Sequence, residues 1–442
     1  MEKIISSSKL FERIVCMGQT KDSGTTKTSE QESEIHEKRW AIVSLASIPL
    51  IMTLGNSMLI PILPLMEKEM GISKLQSSYI ITVYSIVAIF LIPIAGYLSD
   101  RYGRKVVIIP SLILSGIGGL ISGYAAWKIE DPYLIILLGR ILQGIGVSGT
   151  APIVLPLVGD MFKKEKDVSS TLGLVETSNT FGKVLSPILG SLLAGIVWFL
   201  PFLAIPVFCA ISALLVLFLV KKPVNDKKGP KFKKFWKNTK AAFHIHGGWL
   251  VSVFIIGAIL MFILFGILFY LSSILEDNYD ITGLKKGFYL AGPLAALCLA
   301  SFVTGKAIKD NLVKMKWITF FGILLSGAAV VAIRFSDQFI YLLLVFLVCG
   351  VGIGAGLPCL DALITESIEK DVRGTITCIY SSARYVGVAV GPPVTAILMK
   401  IDLMWMVSIF AFFALIAAIL SFKTIKPRSK DKKPSDTLFA KN

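Results

Sequence analysis

The stretch Gly96-Tyr97-Leu98-Ser99-Asp100-Arg101-Tyr102-Gly103-Arg104-Lys105 separates two long apolar runs. Residues 78–98 before it and 106–126 after it are each long enough to cross a hydrocarbon core of about 30 Å, at about 1.5 Å per residue. Four charges fall within the six positions from Asp100 to Lys105. So dense a set of charges belongs at a membrane face rather than in hydrocarbon, and the flanking runs then read as two transmembrane helices.

Composition extends that reading to the whole chain. Hydrophobic residues make up 54% and charged residues 17% of the 442, and the mean hydropathy is +0.73. Such values exclude an ordinary soluble domain. Apolar spans fall at 40–65, 78–98, 106–126, 133–158, 170–196, 200–220, 249–272, 286–305, 316–334, 338–364, 374–399 and 403–422, predicting about twelve helices. Lipid offers backbone N–H and C=O groups no partners, so an all-α bundle follows.

The net charge of +16 invites a nucleic-acid reading, but its distribution opposes one. Lysines and arginines gather in alternate loops: at Lys163, Lys164 and Lys166, from Lys221 to Lys240, from Lys306 to Lys316, at Lys370 and Arg373, and after Phe422. The intervening loops Trp127–Pro132 and Glu276–Asp280 are short and neutral or acidic. By the positive-inside rule both termini are expected in the cytoplasm of a multi-pass cell-membrane protein.

The predicted organisation is a disordered N-terminal segment (1–38), a first six-helix half (39–220), a lysine-rich linker (221–247), a second half (248–423) and a basic tail (424–442). Phe232, Phe235 and Trp236 suit the linker to the inner leaflet as an interfacial helix, and a solvated linker is the alternative. Cys16, Cys209, Cys298, Cys349, Cys359 and Cys378 have no paired spacing and read as packing residues. His244 and His246 lack a Cys or carboxylate partner, so no metal site is expected.

The halves echo each other. Gly96 pairs with Gly305, Gly144, Gly146 and Pro152 pair with Gly350, Gly352 and Pro358, and Gly182-x-x-x-Ser186-Pro187 pairs with Gly387-x-x-x-Gly391-Pro392. Parallel halves of this kind place a substrate site between them near the membrane midplane, exposed to one side at a time as the halves rock.

The opening stretch resembles the loop signature of the major facilitator superfamily, Gly-x-Leu-(Ala/Ser)-Asp-Arg-x-Gly-Arg-Lys. The resemblance implies a conformational latch made by Gly96, Asp100, Arg101, Gly103 and Arg104; a plain basic turn is the alternative. Arg140-Ile141-Leu142-Gln143-Gly144 resembles that family's fourth-helix motif, which implies a part for Arg140 in proton coupling and places Gln143 by the substrate. A purely structural hydrogen bond from Arg140 to backbone is the alternative. Gly144-Ile145-Gly146-Val147-Ser148-Gly149 matches a dinucleotide fingerprint formally, but it lies within a membrane span and reads as helix packing.

Gly182 to Ser191 resembles the fifth-helix signature of drug/proton antiporters, with serine in place of glycine at 186 and 191. Gly182, Ser186 and Gly190 form a small-residue ridge that Pro187 allows to bend. Glu176, Asn179 and Lys183 fall within about 60° of one another on a helical wheel and should line a cavity; alternatively Glu176 and Lys183 simply compensate each other. The repeat offset puts Arg384 in the place of Asn179. Asp361 stands in the tenth helix, to titrate or to pair with Arg384, while Asp160 and Glu366 read as helix-end charges. Asn56-x-x-x-x-Pro61-x-x-Pro64 resembles a first-helix motif of the drug-antiporter branch, placing Asn56 at the cavity.

These resemblances imply a monomeric secondary transporter of the drug/metabolite:proton antiporter branch. It would be an exporter of small molecules driven by the proton gradient, without a cofactor and without nucleic-acid partners. Glu176, Asp361 and Arg140 would couple protons, and Asn56, Gln143, Asn179, Lys183 and Arg384 would meet the substrate. Lys183, Arg384 and Arg140 outnumber Glu176 and Asp361, which points to anionic, zwitterionic or catechol-like compounds. Siderophores, lipid-linked sugars and other metabolites stand beside multidrug substrates. An importer and a non-transporting sensor are the alternatives, and no enzyme constellation is evident.

Overall fold

A computed structural model describes residues 27–162, 165–220, 232–308, 311–368 and 370–425. Its α-helices are α1 (Lys27–Ser57), α2 (Leu63–Met70), α3 (Lys74–Tyr102), α4 (Arg104–Lys128), α5 (Tyr133–Ser148), α6 (Ala151–Met161), α7 (Glu165–Ala194), α8 (Leu200–Leu219), α9 (Phe232–Asp277), α10 (Gly283–Ile308), α11 (Leu312–Ala332), α12 (Phe339–Ser367), α13 (Lys370–Ile401) and α14 (Leu403–Thr424). No strand occurs among the described residues.

Two predicted spans are each divided in two. Pro61 and Pro64 occupy first-turn positions of the 3-10 turn Ile60–Ile62 and of α2, ending α1 before them. Pro152 likewise starts α6 after the break at Gly149 and Thr150. Proline is tolerated there because the first N–H groups of a helix have no intrahelical acceptor.

Ten segments are long and apolar enough to cross a membrane. The other two predicted spans are α7 and α13, which have the length, at 30 and 32 residues, but carry Glu176 and Lys183, and Arg373 and Arg384, respectively. Their polarity comes partly from the side chains that face the cavity described below. Elsewhere the periphery presents apolar groups such as Phe90, Leu134, Phe218 and Phe302 outward, as a lipid-facing surface requires.

Two helices start within the segments expected as lead-in and linker. The lead-in was expected to be disordered to residue 38, and the backbone is helical from Lys27. Cys16 lies outside the described residues. The linker was expected to run to 247, but α9 starts at Phe232 and continues unbroken to Asp277, so its second part is helical backbone.

The described residues from Ala41 onward form one compact unit, and its packing repeats. A Cβ on Gly144 would come within 2.6 Å of the Tyr84 carbonyl on α3, and one on Gly350 would strike the Pro293 carbonyl on α10. A Cβ on Gly146 would come within 2.6 Å of Ser111 O on α4, and one on Gly352 within 2.5 Å of Gly322 O on α11. Gly182 faces Leu50 of α1, as Gly387 faces Ala258 of α9. In these three pairs each glycine meets the equivalent helix of its own half, whereas Gly96 and Gly305 do not pack alike; Gly144 to Gly149 is a packing motif. Gly190 lies on the Met58 carbonyl and Gly391 on Phe262 O. Ser186 is fully buried, and α7 and α13 run without interruption through Pro187 and Pro392. Cys209, Cys349, Cys359 and Cys378 are buried free thiols.

The halves join along α3 with α13 and α7 with α10. Thr82 donates to Ala389 O at 2.8 Å, Ser382 donates to Ile89 O, and a Cβ on Gly287 would come within 2.6 Å of Pro187 O.

Candidate functional site: a central cavity between the halves

A cavity of about 340 Å³ lies between the halves, walled by α1, α6 and α7 from the first and by α9, α10, α12 and α13 from the second. Its apolar wall includes Met52, Leu264, Phe265 and Leu294, and its ionisable carboxylates and cations are Glu176, Lys183, Asp361 and Arg384. Asn56 and Asn179 also line it, as do Tyr380 and Tyr385.

The polar stripe of α7 is held from α1. Thr53 donates to Asn179 Oδ1 at 2.6 Å, and Asn179 Nδ2 donates to Glu176 Oε1 at 3.1 Å. Lys183 lines the cavity one turn further on, and no ion pair joins it to Glu176 among the described residues. The expected alternative of mutual compensation is thus not a direct contact. Across the cavity, Arg384 donates to Asp361 Oδ1 at 3.3 Å, with side chains 20% and 40% exposed. The Arg384 guanidinium lies over the Tyr380 ring at 5.6 Å.

Arg140 is placed differently. It is fully buried and absent from the cavity wall. Its Nε donates to Ile80 O at 2.8 Å, one terminal nitrogen to Gln143 Oε1 at 2.5 Å, and the other to Asn56 Oδ1 at 2.6 Å. The Tyr84 ring lies 4.3 Å from its carbon. A desolvated guanidinium needs this many acceptors to remain in the bundle. The contact with Ile80 O is the backbone bond that the structural alternative expected, and the contact with Asn56 links Arg140 to the cavity wall. Gln143, expected at the substrate, is buried and absent from the cavity wall, and it accepts from Arg140.

The face bearing the opening stretch is built on α3 and α4. Gly103 turns the chain at φ +103°, which a Cβ disfavours. Asp100 pairs with Arg104 at 2.5 Å, and Arg104 also reaches Asp160 at 3.1 Å. Asp160, expected only as a helix-end charge, thus joins this network. The Glu366 side chain lies outside what is described. Arg101 donates to the Tyr97 hydroxyl at 2.7 Å. Gly96 sits against the other half, since a Cβ there would come within 2.9 Å of Cys378 Sγ on α13.

At the opposite face, ion pairs tie the halves together. Lys68 meets Glu276 at 2.7 Å and Lys74 meets Asp277 at 2.5 Å. Lys286 reaches Glu276 at 2.8 Å from within the second half. Ser272 donates to Ile60 O at 2.9 Å. Sequence reasoning passed over this closure, whose partners lie more than 200 residues apart, apart from Lys286. It also passed over Thr53, Tyr380 and Tyr385; the four-residue spacing of Tyr380 and Arg384 on one helix was the available signal for Tyr380.

Comparison with known proteins agrees with this architecture. The Major Facilitator Superfamily model matches residues 45–392 and 315–441. The Bacillibactin exporter of Bacillus subtilis (strain 168) is 50% identical over 393 residues, covering 88% of this chain and 98% of that protein. The class C tetracycline resistance protein of Escherichia coli is 26% identical over 351 residues, covering 76% and 83%. A bacterial homolog of the human lysosomal transporter Spinster, in an inward-facing and occupied conformation, superposes with a TM-score of 0.71 at 16% identity, covering 87% of this chain and 96% of that one. The protein belongs to the major facilitator superfamily and is one of its exporters.

Proposed function

We propose that the protein exports an anionic, catechol-like siderophore from the cytoplasm by alternating access, with a proton moving inward. The carrying observation is Lys183: its ammonium lines a mid-membrane cavity, and no hydrogen bond or ion pair holds it among the described residues. A cation so placed favours an anion from outside the chain. The relationship to a protein named for bacillibactin export supports the same class. Aromatic rings at Phe265, Tyr380 and Tyr385 offer a planar substrate surfaces to pack against.

Charge bias between loops supports a cytoplasmic position for the basic-loop face and both termini. The paired opposite face is then the outer one, and the state described is closed to the outside. The cavity is complete within one chain, which supports a monomer. Glu176 is the leading proton site with Asp361 as the alternative, and the proton gradient is the energy source. One inward proton contributes about 2.3 kcal/mol per 100 mV, and each negative charge carried outward adds a similar amount.

Inside-out vesicles test the reading. Accumulation of a catechol-bearing anion under an imposed pH gradient and potential, in preference to a lipophilic cation of similar size, is expected. Accumulation of the cation alone would replace the siderophore reading with a multidrug one.

A further inference from the structure

The four charges that line the cavity are held unequally. Glu176 is held by Asn179, which Thr53 orients in turn. Arg384 has one contact to Asp361, at 3.3 Å, between side chains 20% and 40% exposed. The Lys286–Glu276 pair shows what a locked pair looks like in this protein: 2.8 Å, with side chains 2% and 5% exposed. The contact between Arg384 and Asp361 is longer and less buried, and exposed ion pairs contribute little stability. Lys183, in the other half, has no anion of the protein within ion-pair distance among the described residues.

We propose that Asp361 is a built-in competitor of the substrate: it occupies Arg384 while the cavity is empty and yields it to one anionic group, while a second anionic group rests on Lys183. This rests on the reading of the substrate as an anion and narrows it to organic compounds with at least two separated anionic groups. Lys183 belongs to α7 and Arg384 to α13, so a substrate held at both points bridges the two halves. Return of Asp361 to Arg384 then breaks that bridge and assists release. Tyr380, beneath the guanidinium, keeps Arg384 on the cavity side during the exchange.

The test compares two probes in proteoliposomes: 3,4-dihydroxybenzoate, with one carboxylate, and two such carboxylate-bearing rings joined by a short linker. Asp361→Asn should lower KM for the linked dianion at least threefold and lower its maximal export rate about tenfold, while changing KM for the monoanion little. Asp361→Ser, as a second variant, should shift KM in the same direction. Lys183→Met should raise KM for both probes about tenfold, and Lys183→Arg should restore it. Transport of the dianion with an unchanged or raised KM in both Asp361 variants overturns the competitor role alone. Failure of the wild-type protein to transport either anion overturns the anionic reading, and this proposal with it.

Discussion

Lys68 in the first half reaches Glu276 in the second across 2.7 Å, and Glu276 is at the same time held by Lys286 at 2.8 Å. A carboxylate 5% exposed thus lies between two ammonium groups, one from each half. Separation of the halves at this face must break the contact with Lys68 but can leave the one with Lys286 intact. Lys68 is 64% exposed, so its loss removes a gate contact at small cost to the fold. In Lys68→Ala, a cysteine at Ser272, which otherwise bonds Ile60 across the halves, should react with a membrane-impermeant maleimide severalfold faster. Unchanged labelling would show that this pair does not gate the face.

Removal of the Glu276 carboxylate should act more broadly. Glu276→Gln leaves the Lys286 ammonium, 2% exposed, without its anion. Stranding one member of a buried pair costs about 3–5 kcal/mol. Thermal unfolding of the purified protein should show a clear loss of stability, which the double variant Glu276→Gln, Lys286→Met should partly recover.

Asp100 is bound to Arg104, and Gly96 one turn earlier lies against α13 of the other half. A change in the relative position of the halves therefore passes next to this loop. Asp100→Asn should lower turnover more than substrate affinity, read as maximal rate against KM in vesicles. A variant with normal transport rates would reduce the loop to a basic turn.

Arg140 satisfies Ile80, Gln143 and Asn56 at once. Arg140→Ala should destabilise the first half by about 3 kcal/mol, because buried acceptors lose charged donors. The pH dependence of transport in the surviving fraction should be unchanged. A shifted pH profile with unaltered thermal stability would instead give Arg140 a direct part in proton coupling.

Glu176 is exposed to the cavity and tied to Asn179 rather than to Lys183. Glu176→Gln should abolish pH-driven accumulation while retaining substrate binding and exchange, measured by counterflow with and without a pH difference. If the variant still concentrates substrate on a pH difference alone, Asp361 becomes the proton site.

The bundle was legible along the chain because lipid imposes a one-dimensional rule: a crossing helix must be long and mostly apolar, and the loops between Asp100 and Lys105 or Lys306 and Lys316 must be charged. The repeat was legible too, since Gly144 and Gly350 answer the same packing demand. On α7, helical periodicity alone put Glu176, Asn179 and Lys183 on one face, and the tertiary structure turned that face to the cavity. What the linear order could not decide was pairing between distant helices. Arg140 and Arg384 are both arginines within predicted apolar spans, yet one is enclosed by Ile80, Gln143 and Asn56 while the other meets Asp361 at the cavity wall. The partners of Glu276, likewise, come from α2 and α10, and the one from α2, Lys68, meets it only when the halves close. Burial and partner choice depend on how helices pack in three dimensions, and with charged groups in a low-dielectric medium those few ångströms decide whether a residue holds the fold or meets the substrate.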